Sequence, residues 1–217
     1  MIVRHDDICC PLCSCKDSTL FFKDKKRTYH RCVSCRLVFV PKRFWIAIEE
    51  ERATYDLHEN DANDRGYRQF LSRLSIPLLE RLDKQQSGLD FGCGPGPTLS
   101  ILLEEEGHSV DLYDPFYFNN SSVFNKKYDF ICATEVVEHL HDPNREFTCL
   151  FNMLKRGGWL GITTKLVIDE ACFRRWHYIR DMTHICFYCH DTFEYLSRRF
   201  NAAIDFVASD VILFNKQ

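Results

Sequence analysis

No stretch of this 217-residue chain approaches the roughly 18 consecutive apolar residues that a membrane span requires, although 45% of its residues are hydrophobic. The opening segment MIVRHDDICC lacks the apolar core of a secretory signal, and no low-complexity tract interrupts the sequence. These absences disfavour a membrane span or secretion, and a soluble cytoplasmic protein with one good-sized core and a small appendage is expected. Cysteine, by contrast, is plentiful, at 12 residues. In a small secreted protein that would suggest a disulfide framework, but in a larger chain without a leader it points to reduced thiols and metal ligation.

The cysteines crowd the N-terminus. Cys10-Pro-Leu-Cys13 and Cys32-Val-Ser-Cys35 are two C-x-x-C pairs separated by 18 residues. Each pair fits a tight turn that aims two thiolates at one point, and two such turns complete a closed tetrahedral Zn²⁺ site with no open position, so the zinc should be structural. Cys9, Cys15 and His30 are competing ligands, and Cys10, Cys13, Cys32 and Cys35 are preferred because they alone give matched knuckles. Between the pairs, LFFKDKKRTYHRC reads as two short strands and a turn, too little to bury a core, so metal affinity must supply much of the folding free energy.

Charge divides the chain at about the same place. Residues 1–43 carry ten Lys/Arg against four Asp, leaving 18 basic and 27 acidic residues of the overall 28 and 31 for the rest. A basic module on an acidic domain can bind RNA or another polyanion, or it can be an ordinary solvated face. Residues 44–86 then read as a helical connector, with Tyr67, Phe70, Leu71, Leu74, Leu78, Leu79 and Leu82 on one face and Pro77 expected to kink or divide it. From residue 87 to 217 strands alternate with helices, ending in a helix at Asp191 to Phe200 and two closing strands. This pattern implies an α/β, doubly wound sheet behind a small N-terminal zinc ribbon.

At the end of the first of these strands stands Asp90-Phe91-Gly92-Cys93-Gly94-Pro95-Gly96. Its glycines let the backbone turn sharply and approach a ligand closely, with a helix N-terminus behind. A dinucleotide fingerprint wants Gly or Ala at position 97, where the sequence has proline. An acid at the strand end also opposes a pyrophosphate and favours a cationic ligand with an amino group.

LDFGCGPG, Asp114 in LYDPF, YDFICATEVVEHL and LKRGGWLGITT, in that order, together resemble the class I S-adenosylmethionine-dependent methyltransferases over about residues 88–214. The resemblance implies a Rossmann-like methyltransferase sheet and cofactor contacts from Asp90, Phe91, Gly92, Cys93, Gly94, Gly96 and Thr134, with Asp114 taking the ribose hydroxyls. Asp114 can alternatively be a turn former ahead of Pro115. The segment between Asp114 and Tyr128 is too short for the family's usual helix, third strand and helix. The third strand should therefore be absent or reduced to something like Ser121 to Phe124, with Phe116 to Phe118 offering aromatic faces for a base or a simple lid.

If Glu135 opens a helix, Glu138 and His139 share its face near the strand ends. With a downstream histidine, this E-x-x-E-H pattern resembles that of the small-RNA 3′-terminal 2′-O-methyltransferases and the ubiquinone-pathway O-methyltransferases. The resemblance implies a divalent ion on Glu135, Glu138, His139 and His184 that positions an acceptor hydroxyl, although in other members the segment shapes the pocket without a metal. Arg174-Arg175-Trp176-His177-Tyr178-Ile179-Arg180 alternates cations with aromatics and is either an acceptor-facing wall or an interface segment with core aromatics. Methyl transfer to an acceptor of unidentified class, RNA, protein or small metabolite, is the leading function. A non-catalytic nucleic-acid-binding protein on the same fold and an NAD-dependent oxidoreductase are the alternatives.

Overall fold

The computed structural model describes residues 8–57 and 60–217. Arg4, Asp6 and Asp7, which enter the N-terminal charge count, lie outside them. β1 (Ser18–Lys23) and β2 (Thr28–Cys32) form the hairpin expected between the C-x-x-C pairs, followed by β3 (Val38–Phe39), α1 (Ile48–Tyr55) and α2 (Arg65–Leu79). Next come β4 (Ser87–Phe91), α3 (Thr98–Glu105), β5 (Ser109–Tyr113), β6 (Tyr128–Thr134), α4 (Pro143–Met153) and β7 (Leu154–Thr163). The chain closes with α5 (Glu170–Phe173), β8 (Cys186–Phe187), α6 (His190–Phe200), β9 (Ala202–Ala208) and β10 (Val211–Lys216).

The main sheet runs β5-β4-β6-β7-β10-β9, with the first four strands parallel and β10 antiparallel to both neighbours. Its inner strands are buried on both faces, and the side-chain period of two sorts them cleanly. Phe130, Cys132, Val211 and Leu213 point to one face, where α2 and α3 bury Leu71, Leu74, Leu78, Leu99 and Leu103. Ile131, Ala133, Ile212 and Phe214 point to the other, under Phe147, Leu150 and Phe151 of α4 and Leu196 of α6.

The third strand is absent, one of its two expected outcomes, and two other expectations are corrected. Ser121–Asn125 is a 3₁₀ turn rather than a strand, capped by the Asn120 side chain, so the shortened sheet steps from β5 past β4 to β6 with no strand outside β5. Pro77 does not divide α2, because it sits in the last turn with only Leu78 and Leu79 of the helix after it. Glu135 opens no helix. It leaves β6 at φ 52°, its N–H donating to the Thr163 carbonyl, and a 3₁₀ turn, Val137–His139, follows.

The N-terminal module is built into the larger domain. Its sheet runs β1-β2-β3-β8, so a strand from the last third of the chain completes it. Tyr29, Leu37 and Phe39 share one apolar cluster with Phe173, Phe187 and Tyr188.

Candidate functional site

Each N-terminal knuckle closes on itself. Ser14 N–H donates to the Cys10 carbonyl and Cys32 N–H to the Leu37 carbonyl, and Ser14 and Arg36, each just past a C-x-x-C, take positive φ. Cys10 and Cys35 Sγ are 3.4 Å apart, as are Cys13 and Cys32, and all four thiols lie within 4.8 Å of one another. Tetrahedral zinc with Zn–S near 2.3 Å needs sulfurs about 3.8 Å apart, so the donor set fits a structural zinc. A hydrogen bond from Cys35 draws the Cys10 thiol down to about 6, while burial pushes Cys32 up to about 12. Four thiolates facing one point need a cation between them. Cys9 and Cys15 turn away to the carbonyls of Ser14 and Asp17.

The expected cofactor end lies where β4, β5 and β6 finish. Gly92 and Cys93 N–H groups donate to the Tyr113 carbonyl, which folds the glycine loop back across the neighbouring strand end. Gly92 has φ 76°, and a Cβ there would strike Val136. A Cβ on Gly96 would come 2.2 Å from the Asn60 carbonyl, so glycine is required at both positions by the loop's close packing on Val136 and the Asn60 segment. Asp114 Oδ2 accepts from Gly94 N–H at 3.1 Å, and Oδ1 accepts from Phe116 and Tyr117 N–H. Asp114 is therefore a turn former as well as the acid beside the glycine loop. Burial and the nearby Asp114 push Asp90 up to about 7. Two buried acids this close call for a cationic ligand. Thr134 Oγ1 is buried without a hydrogen-bond partner at the end of β6. These features fit a sulfonium cofactor with an amino group.

The expected acceptor end follows directly. One ligand atom from each of Glu138, His139 and His184 lies within 4.8 Å of the others, and the two imidazoles meet at 4.6 Å. Glu135, expected as a fourth ligand, lies outside this three-residue cluster and reaches it through its charge on Glu138. Burial pushes Glu135 up to about 7, and burial together with Glu135 pushes Glu138 up to about 8. Tyr178, buried beneath them, donates to Glu138 Oε1, while Oε2 is buried without a partner. The carbonyl of Tyr178 lies 2.8 Å from His184 Nδ1, which must therefore carry the proton and leave the lone pair on Nε2. His139 Nδ1 faces the Thr183 carbonyl at 3.3 Å. Carbonyl-anchored Nδ1–H groups are the usual support of metal-ligating imidazoles. α1 roofs the site by setting Tyr55 edge-on to His139.

The Arg174–Arg180 segment divides its roles. Tyr178 and Ile179 are buried, whereas Trp176 stacks on Tyr178 and lines a cleft of 610 Å³ with Arg31, Arg36, Lys165 and His190. Asp191 and Asp210 also line it, the latter paired with Arg73. Sequence reasoning missed Tyr178 as a partner of Glu138, because no local spacing links residues 40 positions apart.

The fold and site define an α/β methyltransferase. A family model described as a methyltransferase domain matches residues 59–205, and the chain belongs to that family. No curated protein matches the sequence. Among solved structures, a SAM-dependent methyltransferase from Methanosarcina mazei is 16% identical with a TM-score of 0.50, covering 64% of this chain and 96% of its own. An O-methyltransferase family protein from Burkholderia thailandensis is 14% identical with a TM-score of 0.50, covering 78% and 70%. At these identities the likeness is one of fold. No helix among the described residues is long and apolar enough to cross a membrane.

Proposed function

We propose that the chain transfers the methyl group of S-adenosylmethionine to a nucleophile of an anionic acceptor held at Glu135, Glu138, His139 and His184. The observation that carries this is the convergence of Glu138, His139 and His184 just past β6, the strand that also borders the glycine cradle. When bound, the cofactor supplies a methyl carbon on a sulfonium, already activated for displacement, so what remains for the protein is alignment and removal of the acceptor's proton. Asp90, Asp114 and the cradle hold the cofactor's positive and polar groups, and the Asn60 segment over Gly96 closes the cradle. His184 Nε2 offers a lone pair to an acceptor proton, and the Glu138 carboxylate is held in place by Tyr178.

A divalent ion bound by Glu138, His139 and His184 would supply the positive charge these groups lack and favour ionisation of an acceptor hydroxyl. The orphaned Glu138 Oε2 favours this reading. The raised Glu138 favours a second, in which a protonated carboxyl and His184 act as a metal-free acid–base pair. With Arg36 paired to Asp191, Arg31 and Lys165 are the cations the cleft leaves for an acceptor bearing negative charge, and Trp176 the face for a flat ring.

The test is mass spectrometry of small molecules co-purified with native protein, followed by comparison of methylated RNA nucleosides and metabolites between deletion and wild-type cells. S-adenosylmethionine or its demethylated product should co-purify, and one methylated species should vanish on deletion. Tight NADH binding with no binding of S-adenosylmethionine would overturn the proposal. Once the acceptor is known, loss of activity in EDTA with rescue by Mg²⁺ or Mn²⁺ selects the metal reading, and indifference selects the acid–base pair.

A further inference from the structure

We infer that Arg27, in the turn between β1 and β2 of the four-cysteine module, is a positioning residue for the acceptor end of the site. It holds the 179–184 segment that presents His184. The inference rests on the reading that His184 lines that end.

Arg27 is 2% exposed, and its whole donor set is committed. One terminal nitrogen donates to the carbonyls of Ile179 and Asp181 at 3.0 and 2.8 Å, and the other to those of Met182 and His184 at 3.2 and 2.9 Å. Nε donates to Tyr29 Oη at 2.8 Å, and that hydroxyl donates to Asp24, which caps the turn by accepting from the N–H groups of Lys26 and Arg27. Four carbonyls from a six-residue segment thus turn inward onto one guanidinium about 150 residues away in sequence. The planar fork of arginine can meet four acceptors at once, whereas the compact ammonium of lysine has three donors and a shorter reach.

The segment has little regular structure of its own. It leaves a short 3₁₀ turn, His177–Arg180, is held locally by Asp181 accepting from Thr183, and reaches β8 only at Cys186. Its neighbours fix the chemistry. His184 Nδ1 donates to the Tyr178 carbonyl immediately before the clamped run, and Ile185 N–H, immediately after it, donates to the Glu138 carbonyl. Removing the guanidinium leaves four inward-turned carbonyls short of a donor, only that of Ile179 keeping a second one in Tyr29 Oη, and the segment must open to water to satisfy the rest. The imidazole then loses its fixed orientation, although no residue of the cofactor end has been touched.

The test uses the full zinc-loaded chain with Arg27→Met and Arg27→Lys. S-adenosylhomocysteine affinity by calorimetry and zinc content report the rest of the fold. Amide hydrogen exchange over 178–188 and ¹⁵N spectra of labelled imidazoles report the segment. In Arg27→Met, cofactor-product affinity should stay within about threefold, exchange at 182–185 should quicken about tenfold or more, and His184 should pass from one Nδ1–H tautomer to a mixture. Arg27→Lys should fall between. Unchanged exchange and tautomer in Arg27→Met would overturn the inference. Loss of zinc or of S-adenosylhomocysteine binding in both variants would also overturn it, by making Arg27 a general prop of the fold. Neither readout requires the acceptor or a divalent ion, so the inference and the proposed chemistry can fail separately.

Discussion

The proposed cofactor end and acceptor end meet at the end of β6, yet they are assembled by opposite means. The cofactor end comes from residues 90–96 and Asp114, with its cross-links between adjacent strands 20 or so residues apart. The acceptor end draws on Glu138, Tyr178 and His184 and is braced by Arg27, so its hydrogen bonds join residues from 6 to 157 positions apart. A local loop keeps its shape as long as its strands do. A composite site keeps its shape only while every contributing segment stays docked, and one of those segments depends on the cysteine cluster. The difference predicts that the two ends can be uncoupled.

The largest effect should follow from Cys32→Ser. A zinc held by the four thiols would add on the order of 10 kcal/mol to a module whose apolar core is shared with the larger domain. The variant should lose about one equivalent of zinc by elemental analysis, and β3 should release β8, with which it pairs. Methyl transfer should disappear while cofactor affinity stays within about tenfold. Equal loss of cofactor affinity would break the comparison, because it would make the two ends one cooperative unit. A fully zinc-loaded variant of unchanged stability would remove Cys32 from the ligand set.

Asp114→Ala tests the other end. Losing two hydrogen bonds to a charged acceptor should cost roughly 3 kcal/mol, about a hundredfold in S-adenosylmethionine affinity by calorimetry. Because Asp114 also accepts from Gly94, Phe116 and Tyr117, Asp114→Asn, which keeps one acceptor oxygen, should recover part of the loss. An affinity unchanged in both variants would reduce Asp114 to a turn former.

The same contrast explains what the sequence made legible. The alternation of strands and helices after residue 87 was legible because strands buried on both faces are apolar throughout and their turns carry glycine or proline. Where Met153 ends α4 with no intervening loop, Leu154–Thr163 forms one long strand. The missing third strand could be inferred from chain length alone. The cradle was legible because all of its residues are neighbours. Glu138, His139 and His184 carry chemistry in their side-chain types and were nameable, but Tyr178 as a proton donor and Arg27 as a brace were not. Each acts on groups far away in sequence, four of them backbone carbonyls that leave no mark in a residue pattern. Beta-strand pairing between β3 and β8 was hidden for the same reason, since a two-residue strand has no period.

A smaller effect should separate the ends by pH. Asp90 and Glu135 are raised to about 7 and Glu138 to about 8, above the ordinary carboxylate range. Such groups hold a proton in the fold that the unfolded chain releases. Their contribution is complete below about pH 4 and is lost as pH rises through 7 to 8, at up to about 1.4 kcal/mol per pH unit for each. The Tm of protein free of cofactor and divalent ion should therefore fall between pH 5 and 8, by about 2–4 °C per kcal/mol. Glu138→Gln should flatten the acceptor share of that slope, and S-adenosylmethionine, bringing positive charge to Asp90, the cofactor share. The half-buried His30 and the buried His184, held neutral by burial, add stability as pH rises through the same window, so the test is the difference between variant and parent. A Glu138→Gln protein with the parent's Tm–pH slope would refute the acceptor assignment, and a slope unchanged by S-adenosylmethionine the cofactor one.

The smallest effect is the sharpest test of where the ends divide. Thr134 stands on β6 between the cradle and Glu135, and its hydroxyl is buried with no partner. Valine has nearly the same shape and no hydroxyl to leave unsatisfied, so Thr134→Val should leave ligand-free stability unchanged or raise it by up to about 1 kcal/mol. If the hydroxyl belongs to the cofactor end, that gain is offset on binding, and S-adenosylmethionine affinity should fall about fivefold while EDTA sensitivity and acceptor KM stay as they were. If it belongs to the acceptor end, cofactor affinity is unchanged and acceptor KM rises instead. Calorimetry beside steady-state kinetics on the one variant reads both. A change in neither constant would place Thr134 outside the site and leave its orphaned hydroxyl as a cost of the fold alone.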